Sequence, residues 1–190
     1  MQRLLPLLSA LLPALLLGLG APAQAAPPAP AAKLGSPAPI FSLPALNEEV
    51  ALEAASRTQV GVTDFCGVRA TRPQSAVVLY FFSRDRGGDQ LPSLSRLQKR
   101  LGGKGVQVLG VSTDTGDLGP LSTWIEGQKI AFPVVRDNHG VVSARYGLSQ
   151  LPMTVVVEGG EACTVFALGL PTGADLEPAL DAELAPLLSR

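Results

Sequence analysis

The sequence predicts an α/β fold: a central, mixed, five-stranded sheet with helices on both faces and a short N-terminal extension. Three observations carry this. Val77 to Phe82 is an unbroken apolar run of strand length, which suits a strand buried on both faces. Apolar strand-like runs then alternate with helical leucine stripes, so the first buried strands need crossovers and lie parallel. Val155-Val156-Val157 and Thr164 to Leu168 flank Gly159-Gly160, a hairpin that adds an antiparallel edge.

In chain order, Ile40 to Leu43 sits between prolines and predicts a short edge element. Residues 48–73 make a longer connection than a hairpin needs. A short helix is expected over Leu52 to Ser56, and Val62 to Val68 is expected to pack beneath the sheet. After the strand ending at Phe82, Leu91, Leu94, Leu97 and Leu101 fall on one helical stripe that stops at Gly102-Gly103. Val106, Val108 and Val111 mark the next buried strand, with Ser112-Thr113-Asp114 as the polar loop at its carboxyl end. Leu118 to Gln128 predicts a helix containing Trp124, Phe132 to Val135 a short strand, and Val141 to Tyr146 a helical turn closed by Gly147. Leu176, Leu180, Leu184 and Leu187 give a C-terminal amphipathic helix.

Composition removes several function classes. The 190 residues carry 15 Lys+Arg against 16 Asp+Glu, a net charge of −1, which offers no basic field for nucleic acid. One His and two Cys cannot build the usual four-ligand Cys/His zinc site, so no metal and no cofactor are expected. Residues 1–25 predict a secretory signal: Arg3 is the positive start, Leu4 to Leu19 the apolar stretch, and Ala23-Gln24-Ala25 the small-residue cleavage site. The stretch is short and broken by Pro6 and Pro13, so no membrane association is expected after cleavage. Residues 26–33, rich in Pro and Ala, predict a spacer without fixed structure. The folded domain is therefore 34–190 of an exported protein, periplasmic or extracellular.

Six blocks in order resemble the AhpC/TSA and TlpA-like redoxins of the thioredoxin superfamily. They are Gly35 to Leu46, Val77 to Phe82, Pro92, Gly110 to Asp114, Phe132 to Asp137 with Tyr146-Gly147-Leu148, and Leu151-Pro152-Met153-Thr154. The resemblance runs from about Lys33 to Leu170. It implies a thioredoxin-like fold, with Pro152 at the superfamily's cis-proline position facing the active site.

The chemistry of that family needs a thiolate at a helix N-terminus, where backbone N–H groups lower its pKa, and a second Cys to resolve the mixed disulfide. Counted back from Pro92, the two Cys positions are held by Arg84 and Gly87. Registered as a peroxiredoxin, the peroxidatic position falls near Gln90, with Ser83 and Gly87 where Pro and Thr are expected. Neither register supplies sulfur. No catalytic residue is expected in the degenerate loop Arg84, Asp85, Arg86 and Gly87.

The two cysteines present, Cys66 and Cys163, lie ahead of the first core strand and at the start of the last. In the resembled fold both positions are at the end of the sheet opposite the active site. Export makes a structural disulfide the leading reading; two buried thiols acting as small hydrophobes, or a displaced redox pair, are the alternatives. In the replaced loop, the two Arg and two Gly suit an anion or an acidic partner, against which Asp85 and Asp89 are expected to cap the helix and neutralise both Arg. His139 is expected in a solvated turn, Asp114 lacks a Ser or His for a triad, and Trp124 and Tyr80 are expected in the core.

Two functions from different classes follow. One is a non-catalytic binding or scaffold module, whose partner is an exported protein docking near Pro152 and the Arg84–Gly87 loop. The other is a thiol-disulfide oxidoreductase or antioxidant enzyme using Cys66 and Cys163.

Overall fold

The strand Ala76–Phe82 (here β3) is buried at every one of its seven positions, and the rest of the fold is arranged around its two faces. The structure is a computed structural model that describes residues 31–189. Preceding β3 are a two-residue strand Leu43–Pro44 (β1), a helix Glu48–Ala55 (α1) and a two-residue strand Gln59–Val60 (β2). After it come Leu91–Leu101 (α2), Val106–Ser112 (β4), Leu118–Gly127 (α3), Val134–Arg136 (β5) and Val141–Arg145 (α4). Met153–Glu158 (β6), Thr164–Leu168 (β7) and Leu176–Leu188 (α5) complete the chain.

The main sheet has the order β5-β4-β3-β6-β7. β4 is parallel to both β3 and β5, whereas β6 and β7 are antiparallel. This is the mixed five-stranded α/β sheet that the apolar runs predict, of thioredoxin-like type. Alternate residues of β3 feed two separate cores, as the period of a strand requires. Ala76, Val78, Tyr80 and Phe82 pack with the leucines of α2 and α5 and with Leu121 and Ile125 of α3. Val77, Leu79 and Phe81 pack with Ala51, Ala55, Phe65, Val142 and Tyr146.

The 48–73 connection differs from its expected form. Its helix starts at Glu48, ahead of the expected Leu52 to Ser56, because Asn47 is fixed by remote backbone. The Asn47 side chain donates to Phe132 O (2.9 Å) and accepts from Val134 N–H (2.8 Å), so strand β5 sets the start of α1. Phe65 and Cys66 pack beneath the sheet as expected, while Val68 is exposed. The expected edge element is also shifted: Ile40 is exposed, Leu43–Pro44 pairs with β2, and Pro37 and Ala45 bridge singly to Thr164 and Val135 of the main sheet.

Residues 1–30, which contain the expected signal and most of the spacer, lie outside the described residues. The spacer's last residues are held: Ala32 N–H donates to Arg145 O at 2.9 Å, and Ala32 packs on the second core. Among the described residues no helix is long and apolar enough to cross a membrane.

Cys66 and Cys163 form a disulfide, with Cα atoms 5.5 Å apart and a sequence separation of 97. It joins the 48–73 connection to the β6–β7 turn. Gly67 N–H donates to Gly160 O (2.7 Å) and Ala38 N–H to Cys163 O (2.7 Å), so backbone bonds brace both ends. The turn is wider than Gly159-Gly160 alone predicts, and Cys163 closes it at φ +46°.

Closing a loop of this length removes roughly 3–5 kcal/mol of unfolded-state entropy. The double variant Cys66→Ala/Cys163→Ala is therefore expected to fold but to melt about 10 °C lower. Calorimetry checks this, and an unchanged melting temperature would show that the bridge contributes nothing.

Candidate functional site

The carboxyl ends of β3 and β4 open onto one surface, and the replaced loop crosses it. Phe82 ends β3, and Ser83 and Arg86 then exchange both backbone hydrogen bonds (3.0 Å each). Arg84 and Asp85 are left at the corner of a tight turn, both exposed. Gly87 follows at φ +90°, and a 3₁₀ turn over Gly88–Gln90 leads into α2.

Two glycines let this loop lie flat. A Cβ on Gly87 would come 2.5 Å from Tyr80 Oη and 2.6 Å from Pro152 Cβ. One on Gly88 would come 2.9 Å from the Trp124 ring. The loop is thus wedged between Pro152 and Trp124. The Leu151–Pro152 peptide is cis, so Gly87, at one of the two family cysteine positions, lies directly against the cis-proline.

Beneath the loop, Tyr80 Oη donates to Gly87 O at 3.0 Å, and its ring stacks on Phe82. Burial pushes the Tyr80 phenol well above its ordinary range, with the nearby Asp89 carboxylate adding to the shift. Tyr146, on the opposite face, is shifted the same way by burial. Beside the loop, Asp114 acts as a clamp. Its carboxylate accepts the Arg84 N–H (3.0 and 3.2 Å) and the Ser112 hydroxyl (2.8 Å). Arg136 Nε donates to Asp114 O (3.2 Å), and its Nη2 donates to Gly116 O. Two loops from adjacent strands are locked together by these bonds. The Arg84 guanidinium stands 5.5 Å above the centre of the Trp124 ring.

Several site residues therefore differ from expectation. Asp85 and Asp89 do not cap α2, which has no side-chain cap. Among the described residues neither forms an ion pair with Arg84 or Arg86; Asp89 instead accepts from Gln90 Nε2. The tight turn sets Arg84 and Asp85 at its corner, and the Arg84 guanidinium lies over the Trp124 ring. Trp124 is only half-buried and belongs to this surface, although Tyr80 is a core residue that also touches it. Asp114 has a serine partner, Ser112, but no histidine; His139 is exposed in its turn. Among the described residues no cluster of three His, Cys, Asp or Glu could hold a metal.

Sequence reasoning did not bring Trp124 and Tyr80 to this loop. The available signal was the place of Tyr80 two residues before the end of its strand and the half-polar setting of Trp124 in its helix.

The disulfide is at the other end of the molecule. Cys163 precedes the start of β7, level with the start of β3, and the loop follows the end of β3. Seven residues at about 3.3 Å each separate these ends by roughly 20 Å. Neither cysteine faces the loop.

Residues 34–161 match the family model of the AhpC/TSA family, and the chain belongs to that family. No curated protein sequence matches it significantly. Among solved structures, a candidate thiol:disulfide interchange protein DsbE from Chlorobium tepidum superposes with a TM-score of 0.67 at 21% identity, over 83% of this chain and 99% of that one. A secreted Mycobacterium tuberculosis disulfide oxidoreductase homologous to E. coli DsbE gives 0.56 at 21% identity, over 77% and 95%. A thiol-disulfide oxidoreductase from Bacteroides fragilis gives 0.59 at 21%, over 80% and 99%. The chain is thus similar to DsbE- and TlpA-like structures in fold, and its two cysteines form a bridge outside any Cys-x-x-Cys pattern.

Two expectations follow from this geometry. Gly87→Ala or Gly87→Cys should cost about 2 kcal/mol or more, because a positive φ and two close contacts act together; a denaturant midpoint unchanged from wild type would contradict the wedged loop. Both tyrosines should stay neutral in the folded chain while tyrosines of the unfolded chain ionise near pH 10. The folded state then holds more protons, so stability falls as pH rises through 10. Absorbance at 295 nm should show phenolate only as the protein unfolds.

Proposed function

We propose that this AhpC/TSA-family chain is an exported, non-catalytic binding module that docks another exported protein across Pro152 and the Arg84–Gly87 loop. The observation that carries the reading is the wedging of Gly87 against Pro152. One of the two places where family chemistry needs a thiol, Gly87, is filled by backbone with no room for a side chain, and the other is held by the exposed Arg84. A guanidinium and a glycine cannot exchange with a disulfide or attack a peroxide. The docking side of the site remains: a rigid strand end, an apolar proline and a half-buried tryptophan, held by Asp114. Export is supported by the signal pattern at residues 1–25 and by a disulfide, which persists in oxidising compartments.

The enzyme alternative would have to run through Cys66 and Cys163. Both are buried and bonded to each other, so neither is a free thiolate in the folded chain. The structural role of the bridge is the better-supported one.

The purified protein should reduce no insulin and consume no hydroperoxide above background in the presence of a thiol-regenerating system. Turnover that disappears in Cys66→Ser or Cys163→Ser would overturn the non-catalytic reading. Intact mass of the exported protein should begin at Ala26; retention of residues 1–25 in a membrane fraction would contradict export by cleavage.

A further inference from the structure

We infer that the docking surface selects a partner segment bearing an aspartate or glutamate side chain, whose carboxylate is received by Arg84. This rests on the proposal that the surface around Pro152 binds a protein segment, and adds what that segment must carry.

The geometry of Arg84 supports it. Its backbone is pinned by two hydrogen bonds to Asp114, its position in the turn is fixed by the Ser83–Arg86 exchange, and its guanidinium lies over Trp124. A guanidinium held over an aromatic ring keeps N–H groups available while losing part of the freedom that makes exposed ion pairs weak. It is exposed, and among the described residues it has no carboxylate partner, although Asp85 is its neighbour and Asp89 lies on the same loop. The planar fork of Arg matches a carboxylate through two parallel hydrogen bonds. Arg86, exposed on the same turn, adds a second positive charge.

Asp85 and Asp89 flank the turn and repel an incoming anion. The same reasoning makes Asp85 a competitor for Arg84, so neutralising it should strengthen binding.

The test uses two pools of eight-residue peptides of otherwise random sequence, one with Glu and one with Gln fixed at the centre, captured on the purified protein and counted by mass spectrometry. Wild type should enrich the Glu pool about fivefold over the Gln pool. Arg84→Gln should abolish that preference, Arg84→Lys should lose most of it because the charge remains without fork or stack, and Asp85→Asn should increase it. These positions are exposed, and unchanged melting temperatures will confirm that the variants fold. Equal capture of both pools by wild type, or a Glu preference that survives Arg84→Gln, would overturn the inference while leaving docking intact. Capture of neither pool would overturn docking as well.

Discussion

Everything in this molecule hangs on the burial of β3 on both faces. Seven consecutive residues without solvent contact require cover on two sides, and their alternation divides the interior into two cores. That single strand fixes the parallel neighbour β4 and the antiparallel neighbour β6. Where β3 and β4 end, their loops must meet, and where β6 begins, Pro152 must face them. The place of the site is thus a consequence of the sheet, while the flat course of its loop depends on Gly87 and Gly88.

What occupies it changes the chemistry. A thiol enzyme needs a polarisable nucleophile at a helix N-terminus. Here the chain offers Gly87, whose hydrogen atom is all that fits between Tyr80 and Pro152, and Arg84, tied down by Asp114 and laid on Trp124. In the proposed reading these features serve a recognition surface. The two cysteines lie at the opposite end, where they staple the long connection after β1 to the β6–β7 turn.

The sheet and the leucine helices were legible because their information is local. An unbroken apolar run over Val77 to Phe82 and a stripe at Leu91, Leu94, Leu97 and Leu101 state their own burial. The loss of both thiol positions was legible as well, since it needs only spacing from Pro92. Other features depend on remote partners. The start of α1 is set by Asn47 bonding to strand β5, some 85 residues away. The pairing of Arg84 with Trp124, in place of Asp85 or Asp89, depends on the turn geometry and on how α3 packs. Gly87 looked like a substituted cysteine; only its approach to Pro152 shows that no side chain is tolerated there.

The central claim is that this redoxin scaffold carries no working sulfur. The most direct measurement is the exchange rate of the Cys66–Cys163 bridge with glutathione in the native protein, followed by mass-tagged alkylation. A structural bridge opens only when the protein unfolds, so its rate should track the population unfolded across a denaturant series and be negligible in its absence. Rapid exchange under native conditions, independent of denaturant, would mean that these cysteines are working thiols and would contradict the account.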